Sequence, residues 1–401
     1  MLIAMEKVSS RLAALAESQT LAMSQKCKDL KGKGFNVIDL SVGEPDFHTP
    51  DFVKDAAKKA IDDNFSLYSP VPGFRDLLEA ISNKLKRENN LDYAPEQIVV
   101  SNGAKQSLTN ILLTLVDKGD EVIVPAPYWV SYVELVKLAE GKSVVIETGI
   151  KDDFKITIKQ LEAAITPKSK LLILCSPSNP TGSIYNHDEL LAIAKVVEKN
   201  PNLFVISDEI YEHINFIGKH ESIAQFESIR DRIIIINGVS KGYAMTGWRI
   251  GYSASAKWIA KGSIKLQGQI TSGASSIAQK AATAAINSDG SYPELMRKTF
   301  KKRRDFMVDA LSKVKGFNIN VPEGAFYIFP EISYFFGKTD GNLTINTSDD
   351  FAMFLLNTAH VALVPGSAFG APDYIRFSYA ASDEQLKDAT ERIAKAVGLL
   401  K

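Results

Sequence analysis

The sequence has few cysteines, no excess of charge of either sign and no long apolar run. Cys27 and Cys175 are the only two cysteines in 401 residues, a content typical of proteins from a reducing compartment. Lys plus Arg and Asp plus Glu are equal at 47 each, so the composition predicts no basic surface for nucleic acid. No apolar stretch is long enough to span a membrane. These absences favour a cytoplasmic protein that binds neither nucleic acid nor a membrane.

The length of the chain and the order of its apolar runs predict an α/β protein. A chain of 401 residues is long for one hydrophobic core, so two domains are expected. From about Gln97 onward, apolar runs alternate with segments of helical period, which is the βαβ order of an α/β domain. Continuous runs such as Ile233–Ile236 are typical of strands buried on both faces of a mainly parallel sheet. The predicted strands are Gln97–Ser101, Glu121–Pro125, Lys142–Thr148, Lys170–Ser176, Leu203–Glu209, Arg232–Asn237 and Arg249–Ser253.

The pattern changes near Ser288 and predicts a second, α+β domain. A long basic helix is expected over Tyr292–Val314. Ser348 is predicted to cap a short helix, and Ser382 opens a capping box for a last helix that runs through Leu400. Short strands are expected around Phe326–Phe329, Ala362–Val364 and Tyr374–Tyr379.

The residues that follow each predicted strand are the candidates for a site, because ligands bind beyond the carboxyl ends of the strands in an open parallel sheet. The first strand leads through Ser101–Lys105 into a helix. Small residues at a helix N-terminus let backbone N–H groups bind a phosphate, although a simple packing turn explains the same residues. Trp129 follows the second strand, where it either fills the core or stacks on a flat ring.

Three polar side chains after the later strands each admit two interpretations. Asn179 either only shapes its loop or offers an amide to a phenolic oxygen. Asp208 follows a buried strand and requires a cation or a proton. Its partner is either a structural Lys or Arg, or the protonated nitrogen of a pyridine ring. Lys241 is either a solvated lysine or a desolvated amine that forms a Schiff base, and Arg249 beside it would clamp a phosphate.

In this order, and all at strand ends, these residues resemble the class I aminotransferases of fold-type I, most of all the bacterial aspartate aminotransferase branch Ib. The matching segments cover almost the whole chain and are Leu40–Phe47, the region of Tyr68, Pro127–Tyr132, Ser178–Gly182, Ser207–Glu212, Ser240–Gly251 and Val364–Gly366. The resemblance implies pyridoxal 5'-phosphate (PLP) as the cofactor. It also implies a large PLP-binding domain over residues 51–288, in which a mostly parallel seven-stranded sheet lies between helices. A smaller α+β domain would comprise residues 289–401 and include the N-terminal segment, residues 1–50.

The resemblance assigns a role to each cofactor residue. Lys241 would carry PLP as a Schiff base and move a proton between Cα of the amino acid and C4′ of the cofactor. Asp208 would keep the pyridine nitrogen protonated, while Tyr211 and Asn179 donate to the phenolic oxygen. Trp129 would stack on the ring. The phosphate contacts are implied for Gly103, Ala104, Lys105, Ser240 and Arg249, together with Tyr68 from the neighbouring subunit. The enzyme is therefore expected to be a homodimer with shared active sites, and no metal is expected.

The resemblance also implies how a substrate is held. Arg376 would bind the α-carboxylate with help from the backbone of Gly43. Its place in a strand, alternating with Ile375 and Phe377, is equally compatible with an exposed arginine. Trp129 and Asn179 would border the substrate as well as the cofactor.

The expected reaction is a ping-pong transfer of the amino group from L-aspartate to 2-oxoglutarate. Lys105 is implied to meet the distal carboxylate of the acidic donor, or else only to offset the charge of the phosphate. Thr20, in the N-terminal segment, would add a hydrogen bond. Relatives that also act on prephenate tend to carry a lysine in this segment, where this chain has Ala16. Prephenate is therefore not expected as a substrate.

Other enzymes on the same scaffold share the cofactor residues and stay open as alternatives. These are alanine, aromatic and kynurenine aminotransferases and C–S lyases. A PLP-binding transcriptional regulator is not expected, because its helix-turn-helix module would have to precede a family segment that already begins near the start of this chain. The resemblance further implies cis peptide bonds at Ala126–Pro127 and Asn179–Pro180, although cis is the minority state even before proline.

Overall fold

The computed structural model describes residues 8–17 and 19–401. The strands in this part of the chain are β1 (Ile38–Asp39), β2 (Ile98–Asn102), β3 (Glu121–Ala126), β4 (Lys142–Glu147), β5 (Ser169–Cys175), β6 (Phe204–Asp208), β7 (Ile233–Gly238), β8 (Ile250–Ala254), β9 (Tyr327–Ile328), β10 (Val361–Ala362), β11 (Val364–Pro365) and β12 (Ile375–Ser378). The α-helices are α1 (Ser10–Ala13), α2 (Gln19–Gly32), α3 (Asp51–Asp62), α4 (Arg75–Asn89), α5 (Ala104–Leu115), α6 (Ser131–Leu138), α7 (Ile158–Ala164), α8 (His187–Lys199), α9 (Lys257–Ile270), α10 (Ser276–Ile286), α11 (Ser291–Ser312), α12 (Ser348–Phe354) and α13 (Asp383–Val397).

A seven-stranded sheet with the order β2-β8-β7-β6-β5-β3-β4 forms the centre of the molecule. Strand β8 is antiparallel to both of its neighbours, and the other strands run parallel to one another. Each of the seven strands predicted from the apolar runs is present within one residue of its expected bounds. The prediction of an α/β fold with a mostly parallel sheet is confirmed.

Helices cover both faces of this sheet because its central strands are apolar on both sides. Ile233 and Ile235 of β7 join one buried cluster with residues of α4, α8 and α10. Ile234 and Ile236, which point the other way, join a second cluster with residues of α5. The sheet is therefore the middle layer of three.

The C-terminal part of the chain forms two small sheets and their own core. Strand β1 pairs in parallel with β10, so the N-terminal region is tied to the C-terminal part. The second small sheet has the order β11-β12-β9. Its apolar side chains pack with α11, α12 and α13 in a separate cluster that includes Phe300, Phe351, Phe377 and Leu386. The domain boundaries near residues 50 and 288 stay a prediction.

The N-cap predicted at Ser348 is wrong by one residue. Thr347 caps α12, since its hydroxyl accepts a 3.1 Å hydrogen bond from the N–H of Asp350, whose carboxylate in turn accepts from the N–H of Thr347 at 3.0 Å. The Ser348 side chain is buried inside the first turn, where its hydroxyl accepts a hydrogen bond from the N–H of Ser367. The capping box opened by Ser382 is confirmed, but α13 ends at Val397 rather than Leu400.

Both predicted cis peptide bonds are confirmed. Ala126–Pro127 and Asn179–Pro180 are cis, and so is Ser176–Pro177, which the resemblance did not imply. None of the helices formed by residues 8–17 and 19–401 combines the length and hydropathy that crossing a bilayer requires.

Candidate active site

A cleft of about 440 Å³ opens at the carboxyl ends of the parallel strands, against residues of the C-terminal part. Most of the predicted site residues line it, namely Thr20, Gly43, Ala104, Lys105, Trp129, Asn179, Asp208, Tyr211, Ser240, Lys241, Arg249 and Arg376. Two do not line it. Gly103 lies immediately before α5 as its N-cap residue, and the Tyr68 side chain is 98% exposed on the surface of this single chain.

The direction of the strands explains why these side chains meet. Asp208 is the last residue of β6, and Lys241 lies in the turn that follows β7. Because β8 is antiparallel to its neighbours, its beginning, rather than its end, lies at this edge of the sheet. Arg249 directly precedes β8 and adopts a left-handed backbone conformation with φ of 59°. A residue that precedes a parallel strand would lie at the other edge of the sheet. Arg249 lies at the edge where ligands bind because β8 is antiparallel.

The amine of Lys241 lies at the centre of the cleft and is held by backbone. Its Nζ donates a 2.6 Å hydrogen bond to the carbonyl oxygen of Gly43. Burial lowers the pKa of Lys241 to about 8, and the positive charges of Arg376 and Arg249 act in the same direction, while Glu44 opposes them. A substantial fraction of this amine is therefore neutral and nucleophilic near physiological pH.

Asp208 is a buried carboxylate whose hydrogen-bond partners are neutral groups. The hydroxyl of Tyr132 donates to its Oδ2 at 2.7 Å, and the N–H of Ile210 donates to Oδ1 at 3.3 Å. Burial raises the pKa of Asp208 to about 6, and these two hydrogen bonds oppose the rise. Within the described residues, no Lys, Arg or His makes an ion pair with Asp208. The site therefore presents an acceptor suited to a cationic N–H group.

Arg376 presents the opposite arrangement, a buried cation beside neutral acceptors. It is 2% exposed, so the interpretation as an exposed strand arginine is wrong. Its Nη1 donates to Oδ1 of Asn179 at 2.9 Å and its Nη2 to the carbonyl oxygen of Ser41 at 2.6 Å. In the part of the chain that the structure describes, the buried Nε has no hydrogen-bond partner, and burial lowers the pKa of the group. A guanidinium in such surroundings is suited to bind a carboxylate from a ligand.

The N-terminus of α5 and the guanidinium of Arg249 form a third feature of the cleft. Gly103, with φ of +84°, precedes the helix, and a Cβ at this residue would lie 2.5 Å from Nη2 of Arg249. A Cβ at Gly251 would lie 2.1 Å from the backbone nitrogen of Ala104. Among residues 8–17 and 19–401, Arg249 donates only to carbonyl oxygens, those of Thr246 at 2.9 Å and Asn102 at 3.3 Å. Arginine at a helix N-terminus is an arrangement that binds an anion such as a phosphate.

A family model described as "Aminotransferase class I and II" matches residues 36–393. The chain belongs to this aminotransferase family. It is 49% identical over 399 residues to a probable aspartate/prephenate aminotransferase of Rickettsia bellii, covering 99% of this chain and 100% of that protein.

The aminotransferase is also similar along its whole length to solved structures. It superimposes on the aspartate aminotransferase of Rhizobium meliloti with a TM-score of 0.96 and 41% sequence identity, covering 99% of this chain and 100% of the other. The aspartate aminotransferase of Thermus thermophilus with maleate gives a TM-score of 0.92 and 37% identity, covering 98% of this chain and 100% of that one. The predicted fold-type I architecture is confirmed by these neighbours.

Two tyrosines of this aminotransferase site were not identified from the sequence. Tyr132 bonds Asp208 from a helix 76 positions earlier in the chain. The hydroxyl of Tyr327 lies 2.8 Å from that of Tyr211, 116 positions away. Both lie in segments that the sequence did single out, Pro127–Tyr132 and the strand near Phe326. Their partners are set by the packing of distant segments, which no local pattern reports.

Lys105 and Trp129 form one wall of the cleft in this aminotransferase. The Nζ of Lys105 lies 4.9 Å from the centroid of the Trp129 ring, within the range of a cation–π contact. Partial burial, followed by the charge of Arg249, lowers the pKa of Lys105. Thr20 and Ser24, one turn apart on α2, also line the cleft.

Carboxylates and histidines cluster behind the cleft, where they form ion pairs with one another and with Lys84. Glu209, Glu212 and His220 lie close enough together to hold a metal ion. Glu212 is already paired with Lys84, and it also accepts hydrogen bonds from Asn237 at 2.8 Å and Asn89 at 3.0 Å. This cluster therefore gives no support to a metal centre, and the expectation that no metal is needed stays a prediction.

Proposed function

We propose that this aminotransferase binds PLP in the cleft and transfers the amino group of L-aspartate to 2-oxoglutarate. The observation that carries the proposal is the placement of Lys241. Its amine, with a pKa lowered to about 8, lies in one cleft with the buried carboxylate of Asp208 and the buried guanidinium of Arg376. A cationic cofactor ring would form an ion pair with Asp208, and a substrate carboxylate would form one with Arg376.

The residues of the cleft fit PLP in charge and in chemistry. Asp208 would hold the protonated pyridine nitrogen, which removes the cost of its burial. The phosphate would bind at the N-terminus of α5 over Gly103, Ala104 and Lys105, with the side chains of Ser240 and Arg249. The face of the ring would lie on Trp129. Tyr211 and Asn179 would donate to the phenolic oxygen, and Lys241 would attach the cofactor covalently.

When bound, PLP supplies an electron sink that makes the Cα–H bond of an amino acid acidic. The chain supplies the positioning and the proton transfer. Arg376 would bind the α-carboxylate of the substrate through its free donor atoms and orient Cα toward Lys241. The neutral amine of Lys241, once released from its covalent bond, would take the Cα proton and return it at C4′. Gly43 holds this amine at 2.6 Å, and the same cleft would serve the reverse half-reaction with the 2-oxo acid.

An acidic donor is supported by the positive charge of Lys105 at the cleft. The structures similar to this chain include aspartate aminotransferases, and the Rickettsia bellii relative is named for both aspartate and prephenate. Lys105 would meet the distal carboxylate, and Thr20, which also lines the cleft, would add a hydrogen bond. That Ala16 makes prephenate a poor substrate stays a prediction, so prephenate belongs in any substrate test.

We further propose a homodimer whose active sites are shared between subunits. The exposure of Tyr68 supports this, because its neighbour Leu67 is also 82% exposed and side chains of this kind are commonly covered by a partner. Tyr68 would then reach the phosphate of the other subunit. Cys27 and Cys175 are both free thiols, which supports a reducing compartment such as the cytoplasm.

A panel of amino donors with 2-oxoglutarate tests the proposal. Purified protein with PLP should release 2-oxo acid from aspartate with a higher kcat/KM than from alanine, phenylalanine or kynurenine. Prephenate, offered as amino acceptor with glutamate, should react more slowly than oxaloacetate. Preference for a neutral or aromatic donor, or elimination of sulfide from cysteine conjugates, would replace the aspartate assignment with one of the alternatives on the same scaffold.

A further inference from the structure

Tyr327 touches three different parts of the cleft although it belongs to none of the motifs that identify the family. It is fully buried in β9 and lines the cleft. Its hydroxyl lies 2.8 Å from the hydroxyl of Tyr211. The guanidinium of Arg376 lies 4.5 Å from the centroid of its ring. A Cβ at Gly43 would lie 2.6 Å from the hydroxyl oxygen of Tyr327.

The hydrogen bond between the two tyrosines limits how the proton of Tyr211 can be used. A phenolic hydroxyl has one proton to donate and lone pairs that accept. If Tyr211 donates its one proton to the cofactor, it must accept in the hydrogen bond with Tyr327. Tyr327 is then the donor of that bond. Hydrogen bonds in such a chain strengthen one another in a buried site. Tyr327 therefore makes Tyr211 a stronger donor.

The ring of Tyr327 has a separate effect on Arg376. The guanidinium also lies 5.0 Å from the centroid of the Phe369 ring. Cation–π contacts with these two rings hold its plane and partly offset the cost of burying the cation. The ring thus orients the group before a substrate arrives, and this orientation does not require the hydroxyl.

The third contact connects Tyr327 with the lysine. Gly43, which lacks a side chain where the Tyr327 hydroxyl lies, uses its carbonyl oxygen to accept the hydrogen bond of Lys241. The titratable groups around Tyr327 include Arg376, Tyr211, Cys175, Glu44 and Tyr379. Three residues with assigned roles in the proposed reaction therefore depend on the position of one tyrosine that has none.

We propose that Tyr327 is a positioning residue with two separable functions: its hydroxyl sets the donor strength of Tyr211 toward the phenolic oxygen of the cofactor, and its ring orients Arg376 for the substrate carboxylate. The inference rests on the proposed function, since it requires PLP in the cleft. It predicts that removal of the hydroxyl and removal of the ring change different measurable properties.

The first test is Tyr327→Phe, read by the pH titration of the visible absorption of the bound cofactor. A donor at the phenolic oxygen favours its ionised form, so a weaker donor raises the pH of the midpoint. We expect the midpoint to rise by about half a pH unit, which corresponds to a fraction of the free energy of one hydrogen bond. In a Tyr211→Phe background the same change should shift nothing further, because the hydroxyl acts through Tyr211. Tyr379→Phe is the matched control, since Tyr379 is equally buried and its hydroxyl bonds the carbonyl of Ala325 in the C-terminal core.

The second test measures the dissociation constant of succinate, a dicarboxylate without an amino group. Tyr327→Phe keeps the ring and should bind succinate within about twofold of the wild type, whereas Tyr327→Leu should bind about tenfold more weakly. Absence of any visible cofactor absorption in the wild type would defeat the proposed function itself. An unshifted midpoint in Tyr327→Phe, an additive shift with Tyr211→Phe, or equal succinate affinity in the leucine variant would overturn the role of Tyr327 while leaving the enzyme assignment intact.

Discussion

The hydroxyl of Tyr132 donates a 2.7 Å hydrogen bond to the buried carboxylate of Asp208. It is the shorter of two hydrogen bonds to this carboxylate, the other coming from the N–H of Ile210 at 3.3 Å. Burial dominates nonetheless, so that the pKa of Asp208 rises to about 6. In the cofactor-free protein, Asp208 is therefore charged at neutral pH at a cost to folding, and a cationic ring nitrogen would relieve that cost.

The stability of the cofactor-free protein should depend on pH through Asp208. Because its pKa is raised from 3.8 to about 6, the folded state holds the proton more tightly than the unfolded chain does. The contribution of Asp208 to the free energy of unfolding should therefore fall by about 3 kcal/mol as the pH rises from about 4 through about 6. Denaturant unfolding of the wild type and of Asp208→Asn across this range measures the difference.

The free energy of unfolding of Asp208→Asn should lack this dependence on pH. Without cofactor at neutral pH, the variant should be more stable than the wild type when its amide keeps the hydrogen bonds of the carboxylate. Asp62→Asn, an exposed change on α3, serves as the control and should follow the wild type. If the free energies of unfolding of the wild type and Asp208→Asn differ by the same amount at both ends of the pH range, the pKa of Asp208 is not raised.

Attachment of PLP to the cofactor-free protein should accelerate with pH. The pKa of Lys241 is lowered to about 8 by burial, so the neutral amine accumulates as the pH rises through this value rather than above 10. The rate of appearance of visible absorption after mixing with PLP should therefore have a midpoint near pH 8. Lys241→Arg keeps a cation but cannot form the bond and should show no such absorption, and an arginine variant with the wild-type spectrum would refute the assignment.

Lys105→Ala should distinguish acidic from neutral donors. A charge-assisted hydrogen bond contributes about 1.5–3 kcal/mol, so kcat/KM for aspartate should fall about 10- to 100-fold. Alanine has no distal carboxylate and should lose far less. Steady-state kinetics with both donors measures the contrast, and equal losses would mean that Lys105 serves only the cofactor.

Tyr68 should connect the quaternary structure with cofactor binding. The Tyr68 side chain is 98% exposed in the single chain, and we expect the partner subunit to cover it in solution. Sedimentation should show a dimer for the wild type and for Tyr68→Phe, while the variant should release PLP more readily because one phosphate contact is lost. A fully active monomer would contradict shared active sites.

The sequence is most informative where physical rules act locally. Runs such as Ile233–Ile236 require buried strands, and the residues that follow those strands include Asp208 and Lys241, both of which the fold brings to the cleft. Adjacent hydroxyls are harder to assign: Thr347 and Ser348 both suit an N-cap. The reciprocal hydrogen bonds between Thr347 and Asp350 decide for Thr347, while Ser348 packs against the turn at Ser367.

The contacts that tune the site are beyond local reasoning. The family resemblance supplies roles for Tyr211 and Arg376, but Tyr327, which touches both, is only an apolar position in a short strand when the sequence is read alone. Its importance arises from the meeting of β9 and β12 with the loop after β6, and that meeting is a property of the assembled chain.

The crowding of Gly251 against the start of α5 restricts how this cleft can evolve. A Cβ there would overlap the backbone nitrogen of Ala104, and one at Gly238 would lie 2.8 Å from the Cα of Gly251. A library of random variants selected for a new amino donor should therefore be depleted of every substitution at these two glycines. The tolerated changes should accumulate around Thr20 and Ser24 on α2, where a helix surface can vary without moving the anion-binding turn.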